Sequence, residues 1–221
     1  MQDVFFISFR ESNAEENWQR LLEFHPGAKR LHGIKGIDTV HLACNSLCST
    51  DWFWTVDGDN YLLKELTYNV ANAPDPLLMF QAIDPLSGQN TTLGGVKLWK
   101  KDSIINTDMS KGDFCLNATA SKWCEQDVFS ETRFNATPYE AWKTSFRHCV
   151  KLLSSILENR YKADSKQRYL DNWKECDNYD TENANWAYQG YLDAKDFVIS
   201  ENPLNLINDY DYLQGMFKKY V

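Results

Sequence analysis

Short apolar runs alternate with amphipathic stretches through the first sixty residues. Residues 3–9 (DVFFISF) are apolar and rich in β-formers, then give way to polar Arg10-Glu11-Ser12-Asn13, which predicts a buried strand. Asn13 or Ser12 stands where a cap would open a helix over 15–24, with Glu15 and Glu16 in the first turn near the positive end of its dipole. Trp18, Leu21 and Leu22 recur at helical spacing, and Pro26-Gly27 ends the element. Residues 29–34 (KRLHGI) predict a second strand, and 36–47 a second helix with Val40, Ala43, Cys44 and Leu47 on one face. Residues 52–56 (WFWTV) predict a third strand that ends in Asp57-Gly58-Asp59. Strand, helix, strand, helix, strand implies parallel pairing with right-handed crossovers. Ligands of such sheets bind beyond the carboxyl ends of the strands, where Arg10, Lys35 and the two aspartates fall.

The second half reads differently. Strands are expected over 77–83 and 92–100, separated by the turn-rich 84–90, with a polar loop over 102–112. The strongest helical pattern covers 139–157, with Trp142, Phe146, Cys149, Val150 and Leu153 in register after Thr137-Pro138 and Glu140. Beyond residue 163 the pattern is helical or loop-like. The expected fold class is α/β: a Rossmann-like mixed sheet flanked by helices, in a single domain over 1–221.

Composition agrees, since 221 residues suit one domain with a full core. Eight Trp, eleven Tyr and twelve Phe are enough for that core and for exposed rings that bind sugars or bases. With 23 basic and 31 acidic residues the net charge is −8, which argues against nonspecific coating of nucleic acid. The charge is uneven: 143–174 holds eight Lys or Arg against three acids, and 175–211 nine acids against one Lys. Together with Lys97, Lys100 and Lys101, the basic segment is a candidate groove for a polyanion; the alternative is a solvated helix face. Six cysteines without a C-x-x-C pair suggest reduced thiols. With no signal-peptide pattern and no apolar run long enough to span a bilayer, a cytoplasmic setting without membrane contact is expected, and the N-x-T triplets at Asn90, Asn117 and Asn135 are chance matches. P-loop, dinucleotide-binding, G-x-S-x-G and H-E-x-x-H motifs are absent.

The candidate chemistry lies at Asp57 and Asp59. Two carboxylates two residues apart at a strand end can hold one hard divalent cation, Mn²⁺ or Mg²⁺, leaving other positions to water and phosphate oxygens. Gly58 keeps the turn free of side-chain bulk. Alone, the tripeptide reads as a surface turn; its place after an aromatic and β-branched third strand favours the metal site.

In order along the chain, a first strand and helix, K-R-x-H-G-x-K-G over 29–36, a helix, and W-x-V-D-G-D over 54–59 resemble a GT-A-type glycosyltransferase. With the later F-N-x-x-P-x-x-A-W-K-x-x-F-R stretch, Phe134 to Arg147, the chain resembles small phage-encoded glycosyltransferases, some of which attach sugars such as arabinose to hydroxymethylcytosine in DNA. The resemblance implies a nucleotide-sugar donor, a UDP-sugar, bound mainly by residues 1–100, and an acceptor facing 101–221. Phe9 and Arg10 would border the donor nucleotide, Asp57 its ribose and the metal, and Asp59 would ligate the metal directly. His148 is the candidate third ligand. Lys35 would reach phosphate or a sugar hydroxyl. Gly94-Gly95 would form a wall for the donor sugar or a simple bend into the strand. Asp127 or Glu131 would be the general base of an inverting reaction, whereas a retaining reaction needs neither. The implied acceptor is 5-hydroxymethylcytosine in double-stranded DNA, with a glycan or protein as the alternative. Two rivals stay open: a metal-dependent nuclease or nucleotidyltransferase using the same carboxylates, and a non-catalytic binding module.

Overall fold

The computed structural model describes residues 2–91, 94–104, 114–119, 121–154, 156 and 163–221. They gather into two compact units, one formed by the described residues up to 133 and the other by Phe134–Val221.

The first unit is a mixed sheet flanked by helices, the expected class. Its strands are β1 (Asp3–Ser8), β2 (Lys29–His32), β3 (Trp52–Asp57), β4 (Asn60–Leu62), β5 (Leu77–Ile83), β6 (Asn90–Thr91), β7 (Val96–Lys100) and β8 (Trp123–Thr132). They lie in the order β2-β1-β3-β7-β5-β8-β4, with β6 beside β5. β1 pairs in parallel with β2 and with β3, as the alternation of strands and helices implied. β7 is then inserted antiparallel between β3 and β5, and β8 runs parallel to β5.

Helices α1 (Ala14–Phe24), α2 (Ile37–Leu47) and the short α3 (Phe114–Asn117) complete this unit. Residues of one strand alternate between faces. One face carries Val4, Phe6, Trp54, Val56, Val96 and Leu98 in the same core cluster as Ala14 and Leu21 of α1. On the other, Phe5 meets Phe53 edge-on at 5.7 Å, and Trp99 meets His41 of α2 at 5.1 Å.

Several sequence expectations shift here. Asn13 precedes α1 without capping it; its amide donates instead to the Arg133 carbonyl at 2.8 Å. α2 buries Val40, His41 and Cys44, while Leu47, expected on the buried face, is 57% exposed. β4, β6 and β8 were not anticipated. The first half of β8 is charged and largely exposed, so it lacks the alternation that marks a half-buried strand. The expected loop over 102–112 lies outside the described residues from 105 on, as do 92–93 of the expected strand over 92–100, and 155 and 157 of the helix over 139–157.

The second unit is helical: α4 (Pro138–Leu153), α5 (Ala163–Glu175), α6 (Ala184–Ile199) and α7 (Tyr210–Phe217). α4 starts as its sequence predicts, with the Thr137 hydroxyl accepting from the Glu140 N–H at 3.2 Å and Pro138 in the first turn. α4 and α6 approach so closely that a Cβ on Gly190 would stand 2.4 Å from the Trp142 carbonyl oxygen. At this crossing the Trp142 indole donates to buried Asp193 at 2.7 Å, and Tyr220 and Lys219 bind the same carboxylate. Among the described residues no helix is long and apolar enough to cross a membrane.

Candidate active site

The Asp57-Gly58-Asp59 turn leaves β3 and runs into β4, with β7 on one side and β8 on the other. Register sets the chemistry. Thr55 pairs with Lys97 and Val56 with Val96, and the Asp57 N–H then donates to the Gly95 carbonyl at 3.1 Å. Residues two apart share a face, so Thr55, Asp57, Lys97 and Trp99 all point to the same side of the sheet. There the Trp99 indole donates to Thr55 Oγ1 at 2.9 Å and Lys97 Nζ to Asp57 Oδ2 at 2.8 Å. The Lys97 side chain is only 8% exposed. Burial alone would push its pKa down, but Asp57, Cys115 and Asp59 outweigh burial and hold it above the ordinary lysine value. Removing the carboxylate from such an ammonium costs about 3–5 kcal/mol. The second Asp57 oxygen, Oδ1, is buried and has no hydrogen-bond partner among the described residues. A bare buried acceptor of this kind calls for a water, an ion or a donor group.

Asp59 is held differently. Asn60, 1% exposed, donates from Nδ2 to Asp59 Oδ1 at 2.7 Å. Its Oδ1 accepts from the Gly95 N–H at 3.2 Å, from Ser130 Oγ at 2.8 Å and from Thr132 Oγ1 at 3.1 Å. Arg133 closes the turn from β8: its N–H donates to the Asp59 carbonyl at 2.6 Å, and its guanidinium lies 3.6 Å over the Tyr61 ring while bonding Glu131 and Glu16.

Close approach requires a glycine at position 95 and leaves little room at position 58. A Cβ on Gly95 would stand 2.3 Å from Asn60 Nδ2 and 2.6 Å from Asp57 Cβ. One on Gly58 would stand 2.7 Å from Glu11 Oε2 and 3.0 Å from Ser8 Cβ, so the space opened at Gly58 is filled by the end of β1 and the residues after it.

The structure brings Asp57, Asp59 and Gly95 together, with the segment after β1 packed against Gly58. Within that segment the Phe9 N–H donates to Glu11 Oε2 at 2.7 Å, and Arg10 is exposed with its guanidinium 4.9 Å over the Phe9 ring. Lys35 is exposed after β2, at the same carboxyl edge. Gly94 faces β5, where a Cβ would stand 2.2 Å from the Phe80 carbonyl oxygen. Glu131 lies opposite Tyr61 on β8 and is held by Arg133 Nε at 2.9 Å. Asp127 lies further back on β8, 59% exposed and 3.8 Å from Lys64. His148 is on α4 in the helical unit, where its Nδ1 accepts from the Trp173 indole at 2.9 Å.

The basic groove needs correction. Lys97 is buried beneath Asp57 and belongs to the carboxylate site. Lys101 donates to the Cys48 carbonyl at 2.8 Å, and Arg147 binds the Ile207 carbonyl, Tyr210 and Asn208. Arg160 and Lys162 lie outside the described residues.

Sequence reasoning missed Asn60, Arg133 and the role of Lys97. Only Lys97 carried a signal, as a charge flanked by apolar Val96, Leu98 and Trp99 after paired glycines. Among the described residues no three His, Cys, Asp or Glu side chains gather to hold a metal ion. The donor set is two carboxylates of one turn, which suits Mn²⁺ or Mg²⁺ completed by water and phosphate.

No protein-family model matches the chain, and no curated protein does. Among solved structures, a glycosyltransferase involved in the glycosylation of the major capsid of PBCV-1 is similar at 17% identity and a TM-score of 0.32, over 46% of this chain and 61% of that one. The chain thus spans less than two thirds of that structure's length.

Proposed function

We propose that this protein is a glycosyltransferase that moves a sugar from a nucleotide-diphosphate donor, a UDP-sugar, to a hydroxyl acceptor, with Mn²⁺ or Mg²⁺ held by Asp57 and Asp59. The observation that carries the reading is the pair of carboxylates at the end of the third parallel strand, one of which has a buried oxygen with no partner. When bound, the ion supplies charge neutralisation of the diphosphate leaving group. The chain's own residues do the rest. Asn60 and Lys97 hold the two carboxylates, and Gly95 gives them room. Phe9 and Arg10, at the end of β1, border the nucleotide, and Lys35 reaches its phosphates. Glu131, oriented by Arg133, is the better placed of the two candidate bases, because Arg133 ties it to the Asp59 turn, whereas Asp127 stands further back with Lys64.

The proposed acceptor is 5-hydroxymethylcytosine in double-stranded DNA, on the resemblance carried by Phe134 to Arg147. An enzyme acting there has to reach the hydroxymethyl group in the major groove or extrude the base. The test incubates the protein with a panel of UDP-sugars, Mn²⁺, and duplexes with or without hydroxymethylcytosine, reading UDP release and the mass of the DNA. UDP release with a pentose or hexose mass gain on the modified duplex alone is expected, with a loss of at least about 100-fold in Asp59→Asn, in line with removing a group that acts in the transition state. UDP release without DNA modification would move the acceptor to a glycan or protein. DNA cleavage without any sugar donor would replace the transferase reading with a nuclease.

A further inference from the structure

The carboxylates of Asp57 and Asp59 belong to one short turn and carry like charge, so their natural tendency is to diverge into solvent. Two side chains outside the tripeptide oppose this: Asn60 bonds Asp59 and Lys97 bonds Asp57. Resting on the site read above, we propose that Asn60 and Lys97 are its positioning residues, each taking one oxygen of one aspartate and so fixing the direction in which the remaining oxygens are presented.

Asn60 is the more determined of the two. The Gly95 N–H can only donate and the Asp59 carboxylate can only accept, so the amide has one orientation that serves both: Oδ1 toward Gly95 and Nδ2 toward Asp59. The Ser130 and Thr132 hydroxyls, on the strand paired with β4, add donors to the same Oδ1. A buried amide with Oδ1 bonded to Gly95 and to β8 cannot swing, and its Nδ2 is a fixed peg for Asp59. Lys97 holds the other aspartate. Its Nζ lies 2.8 Å from Asp57 Oδ2 and 3.4 Å from the Gly95 carbonyl, on a strand whose register with β3 is set by five residue pairs. With Oδ2 engaged there, Oδ1 is the Asp57 oxygen left for another partner. Gly95 therefore serves both pegs: its N–H orients Asn60, its carbonyl helps seat Lys97, and its missing side chain lets Asn60 and Asp57 approach. Supporting groups of this kind hold a binding constellation in place before its ligand arrives.

The test compares wild type with Asn60→Asp, Asn60→Ala and Lys97→Met at pH 8. Asn60→Asp keeps the shape but sets an oxygen against Asp59 where a donor stood, so it is the sharper change; Asn60→Ala stands in if the aspartate variant does not fold. Two readouts are taken: crystal structures of the ligand-free proteins, and Mn²⁺ binding in the presence of UDP by electron paramagnetic resonance, below each variant's melting range. The Asp59 carboxylate turned from its wild-type direction in both Asn60 variants is expected, as is a turned Asp57 carboxylate in Lys97→Met, with Mn²⁺ affinity at least tenfold weaker in all three. Unmoved carboxylates with affinity within twofold of wild type would overturn the proposal. A wild-type protein that binds no Mn²⁺ would instead count against the metal-dependent transferase, and the carboxylate directions would then decide the positioning roles alone.

Discussion

Beneath the aspartate turn, charge and ring are packed where water does not reach. His41 is fully buried, its Nδ1 donating to the Ile37 carbonyl at 2.7 Å and its ring against Trp99 and Phe114. Burial, with the nearby Lys97 charge, lowers its pKa to about 4, against the pull of Asp57. The unfolded chain takes up that proton near the ordinary value of 6.5, while the folded protein resists it until about 4. Stability from this residue is thus complete above 6.5 and falls as the pH drops toward 4, by up to about 1.4 kcal/mol per pH unit. His41→Phe is expected to flatten the fall of Tm between pH 6.5 and 4.5; an unchanged pH profile would show that another group carries the acid sensitivity. Of these buried groups the sequence disclosed little. Asp57 and Asp59 were legible because carboxylates ending an apolar strand are chemically conspicuous. Lys97 read as one more surface cation, because a charge becomes internal only through a partner brought from forty residues away in the chain. Asn60 was invisible for the same reason: Gly95, Ser130 and Thr132, which fix its Oδ1, are distant in the chain.

Elements were legible in proportion to their own periodicity. β1, β3 and β5 are apolar runs whose burial follows from composition, and they emerge within a residue or two of expectation. β4 has three residues and β6 two, too few to show any period, and both exist only because a longer strand pairs with them. α4 is the opposite case, specified locally by Thr137, Pro138 and Glu140 and then by its apolar face. Removing the cap tests this. Thr137→Ala is expected to cost about 1 kcal/mol, lowering Tm by roughly 2–4 °C for a chain of this size. A Tm within error of wild type would mean that α6 packing alone fixes the start of α4.

At the scale of the whole chain, the sum of charge is −8, yet what decides binding is where single charges are spent. Lys97, Lys101 and Arg147 are engaged within their own units, which leaves fewer cations for a phosphate backbone than the sequence suggested. The proposed DNA acceptor would therefore have to be selected through its modified base more than through charge. The proposed donor site is independent of that question, since its residues all belong to the sheet unit. Its most direct test is thermal unfolding of wild type and Asp59→Asn against UDP-sugars, with and without Mn²⁺. A donor at about 100 times its Kd adds roughly 2.7 kcal/mol, an upward shift of several degrees. A shift that requires both one UDP-sugar and Mn²⁺, and that disappears in a folded Asp59→Asn, is the expected result. Wild type that melts at the same temperature with every donor, or Asp59→Asn that responds as wild type does, would contradict the account.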